Sequence, residues 1–100
     1  MSANIEKSIT TNTNTLINTT VGQGASLGFF NASAGSFAIK KALNDGTLVA
    51  ITDENGVELS ITAIPTTVNL FVGSGTDIYI TSTGISGTLI VTSNPLKSDK

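Results

Sequence analysis

Five groups of residues have types and spacings that could do chemistry. Asp53, Glu54 and Glu58 could offer hard oxygen ligands to a cation such as calcium. Their spacing does not match a calcium loop, and the run Asp53-Glu54-Asn55-Gly56 reads more simply as a hairpin turn with solvated carboxylates. Lys40 and Lys41 could supply an amine base, but they sit in an alternating segment with no obvious acidic or nucleophilic companion. Gly22-Gln23-Gly24-Ala25-Ser26-Leu27-Gly28 has the glycine content of a phosphate cradle. Its spacing is wrong and no strand-then-helix pattern surrounds it, so the expectation is a flexible link. Asn18-Thr19-Thr20 and Asn31-Ala32-Ser33 match the glycosylation acceptor pattern. Phe29, Phe30, Phe37, Phe71 and Tyr79 could form a stacking platform for a sugar, although aromatics in a small domain more often fill its core.

What is missing narrows the field further. The chain has no His, Cys, Trp or Arg, and only 12% of it is charged. Imidazole, thiolate and guanidinium carry most proton transfer, nucleophilic attack and phosphate grip. A Ser–His–Asp or Cys–His device cannot be assembled from this chain. The expectation is a non-enzymatic protein with no catalytic residues, no cofactor and no metal. A net charge of −2 and a pI near 4.7 argue against nucleic acid as a partner. No stretch approaches the ~20 apolar residues of a membrane helix, so no membrane partner is expected. Residues 1–7 lack the basic-then-apolar layout of a secretory leader, which points to synthesis in a cytoplasm.

A two-residue period dominates from residue 36 onward. Phe37, Ile39, Lys41 and Leu43 alternate with Ala38, Lys40 and Ala42 before Asn44, Asp45 and Gly46, three residues suited to a tight turn. Residues 47–52 form a β-branched run, and Val57, Leu59, Ile61 and Ala63 alternate with polar neighbours across the turn at 53–56. That pair reads as the strongest hairpin. Pro65 interrupts the ladder; strands follow at 67–72, 76–82 and 85–93, with turns at 73–75 and 83–84, a bulge at Gly87 and a stop at Asn94-Pro95. The expected inward set is Phe37, Ile39, Val49, Ile51, Val57, Leu59, Ile61, Val68, Leu70, Ile78, Ile80, Leu89 and Val91.

The first third differs. Residues 8–21 are β-prone through Thr, yet their apolar residues are only Ile9, Leu16, Ile17 and Val21. Such a segment either edges a sheet or lies as an arm across a partner. The sparse apolar face favours the arm, with those four residues as its partner-binding anchors. Another strand is expected over 25–31. The whole reads as an all-β chain: an antiparallel β-sandwich or jelly-roll of roughly seven to eight short strands. The expected organisation is an arm or edge strand over 1–21, a β-sandwich domain over 22–95 and a flexible tail over 96–100.

The stretch Gly75-Thr76-Asp77-Ile78-Tyr79-Ile80-Thr81-Ser82-Thr83-Gly84-Ile85-Ser86-Gly87-Thr88-Leu89-Ile90-Val91 resembles the closing hairpins of small bacteriophage virion proteins of the head decoration, or cement, type. The Thr/Asn-rich N-terminal segment adds to the likeness. The resemblance implies a capsid decoration protein on the virion surface, self-associating as a homo-oligomer such as a trimer and bound to the major capsid protein. It implies no enzymatic activity and transfers no functional residues. Two other readings stay open: a carbohydrate-binding or adhesin-type module, and a tail or baseplate component.

Overall fold

A computed structural model describes residues 5–20, 22–52, 55–73 and 75–96. The described chain is all-β: β1 (Ile5–Ile9), β2 (Asn14–Thr19), β3 (Gly24–Phe30), β4 (Ala34–Ala42), β5 (Leu48–Ala50), β6 (Ser60–Ile61), β7 (Thr66–Leu70), β8 (Asp77–Ser86) and β9 (Leu89–Leu96). Two antiparallel sheets carry them. One has the order β1-β9-β3-β7, and the other β2-β8-β4-β5 with β6 also on β4.

The pairings nest. β1 lies on β9, β2 on β8, β3 on β7, and β4 on β5 and β6. That is one long antiparallel hairpin folded at the β4–β5 turn. Rolling it up brings β9 against β3 and β8 against β4, which closes two sheets over each other. This is jelly-roll topology. The cause lies in the alternation: a strand with one apolar face must bury it, and a rolled hairpin gives every strand a facing partner sheet. Ile9, Ala25, Leu27, Phe29, Leu70, Leu89 and Val91 from one sheet meet Ile17, Phe37, Ile39, Ile61, Ile78 and Ile80 from the other in a single core.

Most of the expected inward set is there. Val49, Leu59 and Val68 are half-buried, whereas Val57 is 60% exposed and does not belong to it. The reason is local. Residues 47–52 and 57–63 pair with each other only around Thr52 and Glu58, where Leu59 N–H donates to the Ile51 carbonyl (2.9 Å); beyond that both flank β4. Ile51 N–H donates to the Ile39 carbonyl (3.0 Å) and Ile39 N–H to the Leu59 carbonyl (3.2 Å), so β5 and β6 continue one edge line. The stretch between them loops out beyond the bridge between Thr52 and Glu58, and Val57 lies on it. Asp53 and Glu54 lie outside the described residues.

Other boundaries shift for equally physical reasons. The turn at 44–46 forms as expected, with Leu43 N–H on the Thr47 carbonyl at 2.8 Å. Gly73 and Gly75 instead lie where the chain passes from one sheet to the other, since β7 pairs with β3 and β8 with β2 and β4. Gly84 does not turn the chain. It lies inside β8 with φ of 65°, where the register against β4 slips by one residue, so it forms a bulge. The reversal comes at Gly87, φ 81°. Asn94-Pro95 does not stop the last strand, because Pro95 pairs with Ala25 of β3 beyond the end of the β1 register. Leu96 therefore belongs to β9 and not to a tail; residues 97–100 lie outside the described residues.

The N-terminal segment is not an arm. β1 and β2 each form one edge of a sheet, joined to β9 and β8. Ile9 and Ile17 are 3% and 2% exposed, inside the core. A bulge makes this possible with so few apolar residues: the register against β8 slips between Leu16 and Asn18, and the extra residue, Ile17, turns inward. The glycine-rich segment is likewise no flexible link. From Gly24 onward it is β3, the inner strand between β9 and β7.

Candidate docking surfaces

Among the described residues, no three His, Cys, Asp or Glu side chains gather closely enough to hold a metal ion. Glu58 stands exposed on the loop between β5 and β6. Asp45 is an exposed turn residue whose carboxylate accepts the Thr47 N–H at 2.9 Å. That backbone bond, with the Thr47 side chain's help, holds the Asp45 carboxyl below the usual carboxylate range. Asn18 has its Oδ1 buried without a hydrogen-bond partner, and Asn31 sits in an exposed turn with φ of 81°. The arrangement offers surfaces for binding.

Of the four expected anchors, Ile9 and Ile17 face inward and are closed to any partner. Leu16 is 41% exposed, and Val21 lies outside the described residues. Leu16 stands opposite Tyr79, Tyr79 opposite Lys40, and Lys40 opposite Ala50. Alternation puts this row on the outer face of the β2-β8-β4-β5 sheet. The anchors are thus split between core and surface by the bulge at Ile17.

A second surface was not expected. Where β7 faces the loop between β5 and β6, the sandwich is open, leaving a cleft of about 820 Å³. Ile51, Leu59, Val68 and Leu70 line it with apolar surface, and Lys41 and Phe71 also border it. Phe71 is 71% exposed, more than any other large apolar side chain described. Its outward position was legible: Val68, Leu70 and Val72 alternate inward, which leaves residue 71 pointing out. Phe29 and Phe37 are core, Phe30 is 39% exposed and Tyr79 half-buried, so the aromatics do not form one platform.

The 71–76 crossover beside this cleft is fixed by Thr20, which is 2% exposed. Thr20 N–H donates to the Thr76 carbonyl (2.8 Å), and Gly75 N–H donates to the Thr20 carbonyl (2.9 Å). Its hydroxyl accepts from Thr76 N–H at 2.9 Å and donates to the Gly73 carbonyl. The cleft wall that carries Phe71 therefore rests on a well-bonded loop.

No family model, no curated protein and no solved structure matches this chain.

Proposed function

We propose that this chain is a non-enzymatic structural subunit of a bacteriophage virion, a decoration protein that attaches to the outside of the head and associates with copies of itself. The observation that supports this reading is a complete jelly-roll in a chain lacking His, Cys and Arg. Jelly-rolls recur in capsid and lectin domains, and a fold by itself assigns no activity. Here the fold spends its polar residues on short Thr, Ser and Asn side chains, and it leaves Leu16, Phe30, Leu43, Val57 and Phe71 exposed across both sheets and their loops. That pattern suits a part used for packing against other parts. Antibody labelling of virions from the source culture, read by electron microscopy, tests it. Label on the head is expected; label confined to tails, or no label on any particle, overturns the decoration reading.

The exposed Phe71 ring beside the exposed Asn69 on the cleft favours one other reading, a glycan-binding module. Binding on a glycan array that disappears in Phe71→Ala would put that reading first.

A further inference from the structure

We propose that β7 is a homotypic docking edge: a second copy of this chain adds its own β7 antiparallel to it, across a two-fold axis at Val68.

The four outer strands of the sandwich are β1, β2, β7 and the broken β5–β6 line. Three of them carry the devices that keep sheet edges from pairing. β1 has Glu6 and Lys7, and Lys7 occupies an inward register opposite Val91. β2 is bulged at Ile17. The β5–β6 line is three residues, a looped-out stretch, then two residues. β7 has none of these. It is five residues, Thr66-Thr67-Val68-Asn69-Leu70, in unbroken register with β3. It has no charge, and Pro65 stands just outside it, so every residue keeps its N–H. Its free side presents a row of backbone donors and acceptors, a ready template for another strand.

What fits that template is argued from the strand itself. Paired antiparallel about Val68, β7 sets Thr66 opposite the partner's Leu70 and Thr67 opposite the partner's Asn69. No like charges meet, and the contact closes on itself as a two-fold dimer rather than growing into a filament. Pairing with β1 of another copy would leave that contact open-ended and bring in Glu6 and Lys7. The cleft lies under the same edge, with Ile51, Leu59, Val68 and Leu70 on its walls beside the polar Lys41, Thr52 and Asn69, and the exposed Phe71 follows the strand directly. An added strand would cover surface that otherwise leaves Ile51, Leu59 and Val68 close to water. The two-fold pair makes dimers where the sequence resemblance implied trimers.

This inference rests on the self-association part of the reading above, not on head attachment. A dimer that labels no virion overturns the decoration reading and leaves this one standing; a monomer bound to heads does the reverse.

The test uses the full chain in light scattering and sedimentation velocity, from about 1 µM to about 1 mM, the span in which weak edge contacts show. Thr67 and Asn69 are both exposed, so their substitutions leave the core alone. Thr67→Lys/Asn69→Lys places like charges opposite each other twice per dimer; Thr67→Glu/Asn69→Lys places opposite charges there. The expected result is a dimer of 10.2 kDa chains for the native protein and for the opposite-charge variant, and for the like-charge variant a monomer whose melting temperature matches the native chain's at concentrations where that chain is itself monomeric. The proposal is overturned by a native protein that stays monomeric throughout or forms trimers, by a like-charge variant that still dimerises, or by an opposite-charge variant that does not.

Discussion

Thr20 and Thr76 hold each other twice, once through the Thr20 N–H on the Thr76 carbonyl (2.8 Å) and once through the Thr76 N–H on the Thr20 hydroxyl (2.9 Å). The same hydroxyl donates to the Gly73 carbonyl, so one buried side chain satisfies two backbone groups of the crossover that leads from β7 to β8. Thr20→Val keeps the volume and removes the hydroxyl, which leaves the Thr76 N–H and the Gly73 carbonyl without it. The expected cost is about 1–3 kcal/mol, the penalty for orphaned buried polar groups. Thr20→Ser keeps both bonds and loses one methyl, about 0.8 kcal/mol. Denaturant unfolding of the two variants gives the comparison; equal losses would mean the bonds contribute nothing.

Ile17 and Leu16 are neighbours in sequence with opposite fates. Ile17→Ala empties a fully buried site in the core and is expected to cost about 2–5 kcal/mol. Leu16→Ala trims a side chain that is 41% exposed on the outer sheet face and is expected to change stability by roughly 0.5 kcal/mol or less. Thermal melts of both variants decide the matter. If Leu16→Ala proves the costlier, the bulge is in the wrong place. Removing residues 1–20 would strip both edge strands and expose β9 and β8, so aggregation is the expected result.

The contrast at this bulge shows where sequence reading works and where it stops. Alternation exposed the core of β4, β7, β8 and β9, because each strand buries one face against the opposite sheet. Phe37, Ile39, Leu70, Ile78, Ile80, Leu89 and Val91 all landed inward. Alternation says nothing of a register slip, so from sequence Ile17 reads as one of four sparse partner-binding anchors on an arm. It also cannot tell a turn from a bulge when the residue is glycine, which is why Gly84 and Gly87 exchanged roles. Strand partners were beyond it as well. The loop between β5 and β6 has every local mark of a hairpin, yet its flanks meet only around Thr52 and Glu58 and otherwise pair with β4, a choice set by long-range nesting. The cleft at β7 depends on those partners, so only the outward position of Phe71 could be read in advance.

Ser93 is 1% exposed and its hydroxyl has no hydrogen-bond partner. It stands between Leu27 of β3 and Ile5 of β1, on the inward face. A buried hydroxyl left unpaired costs free energy relative to one in water. Ser93→Ala removes it with little change in volume. The expected outcome is a stability equal to the native chain or higher by up to about 1 kcal/mol. A loss beyond that in denaturant unfolding would mean the hydroxyl has a partner after all.

Asp45 titrates below the usual carboxylate range because its ionised form accepts the Thr47 N–H. A carboxyl whose folded pKa is depressed binds fewer protons folded than unfolded. Its contribution to stability is therefore fully present above the unfolded pKa and lost as pH falls through the folded pKa. The group is exposed, so the effect on global stability is small. NMR titration is the more sensitive reading: the Asp45 carboxyl should protonate at lower pH than free aspartate, and Thr47→Pro, which removes the donating N–H, should bring it back up.

Gly24 opens β3 at the point where the strand passes the end of β7. A methyl group placed on its α-carbon would run into the Leu70 carbonyl oxygen, and its φ of +157° falls outside the range that other residues readily adopt. Neither obstacle is a flexible side chain that can swing away; both belong to backbone held in the sheet, Gly24 against Leu96 of β9 and Leu70 against Ala25 of β3. Gly24→Ala should therefore push β7 off β3 at Leu70 and destabilise the fold by about 1–3 kcal/mol or more. The neighbouring change Gln23→Ala, on an exposed residue, serves as the control and should be nearly silent. Hydrogen exchange separates local from general damage. Faster exchange is expected first along β7 and at Gly73, whose N–H donates to the Gln23 carbonyl at 2.9 Å, while β4 and β8 keep their protection. Unchanged exchange along β7 in Gly24→Ala would show that the strand can give way without leaving its neighbour, and would refute the close contact between Gly24 and Leu70.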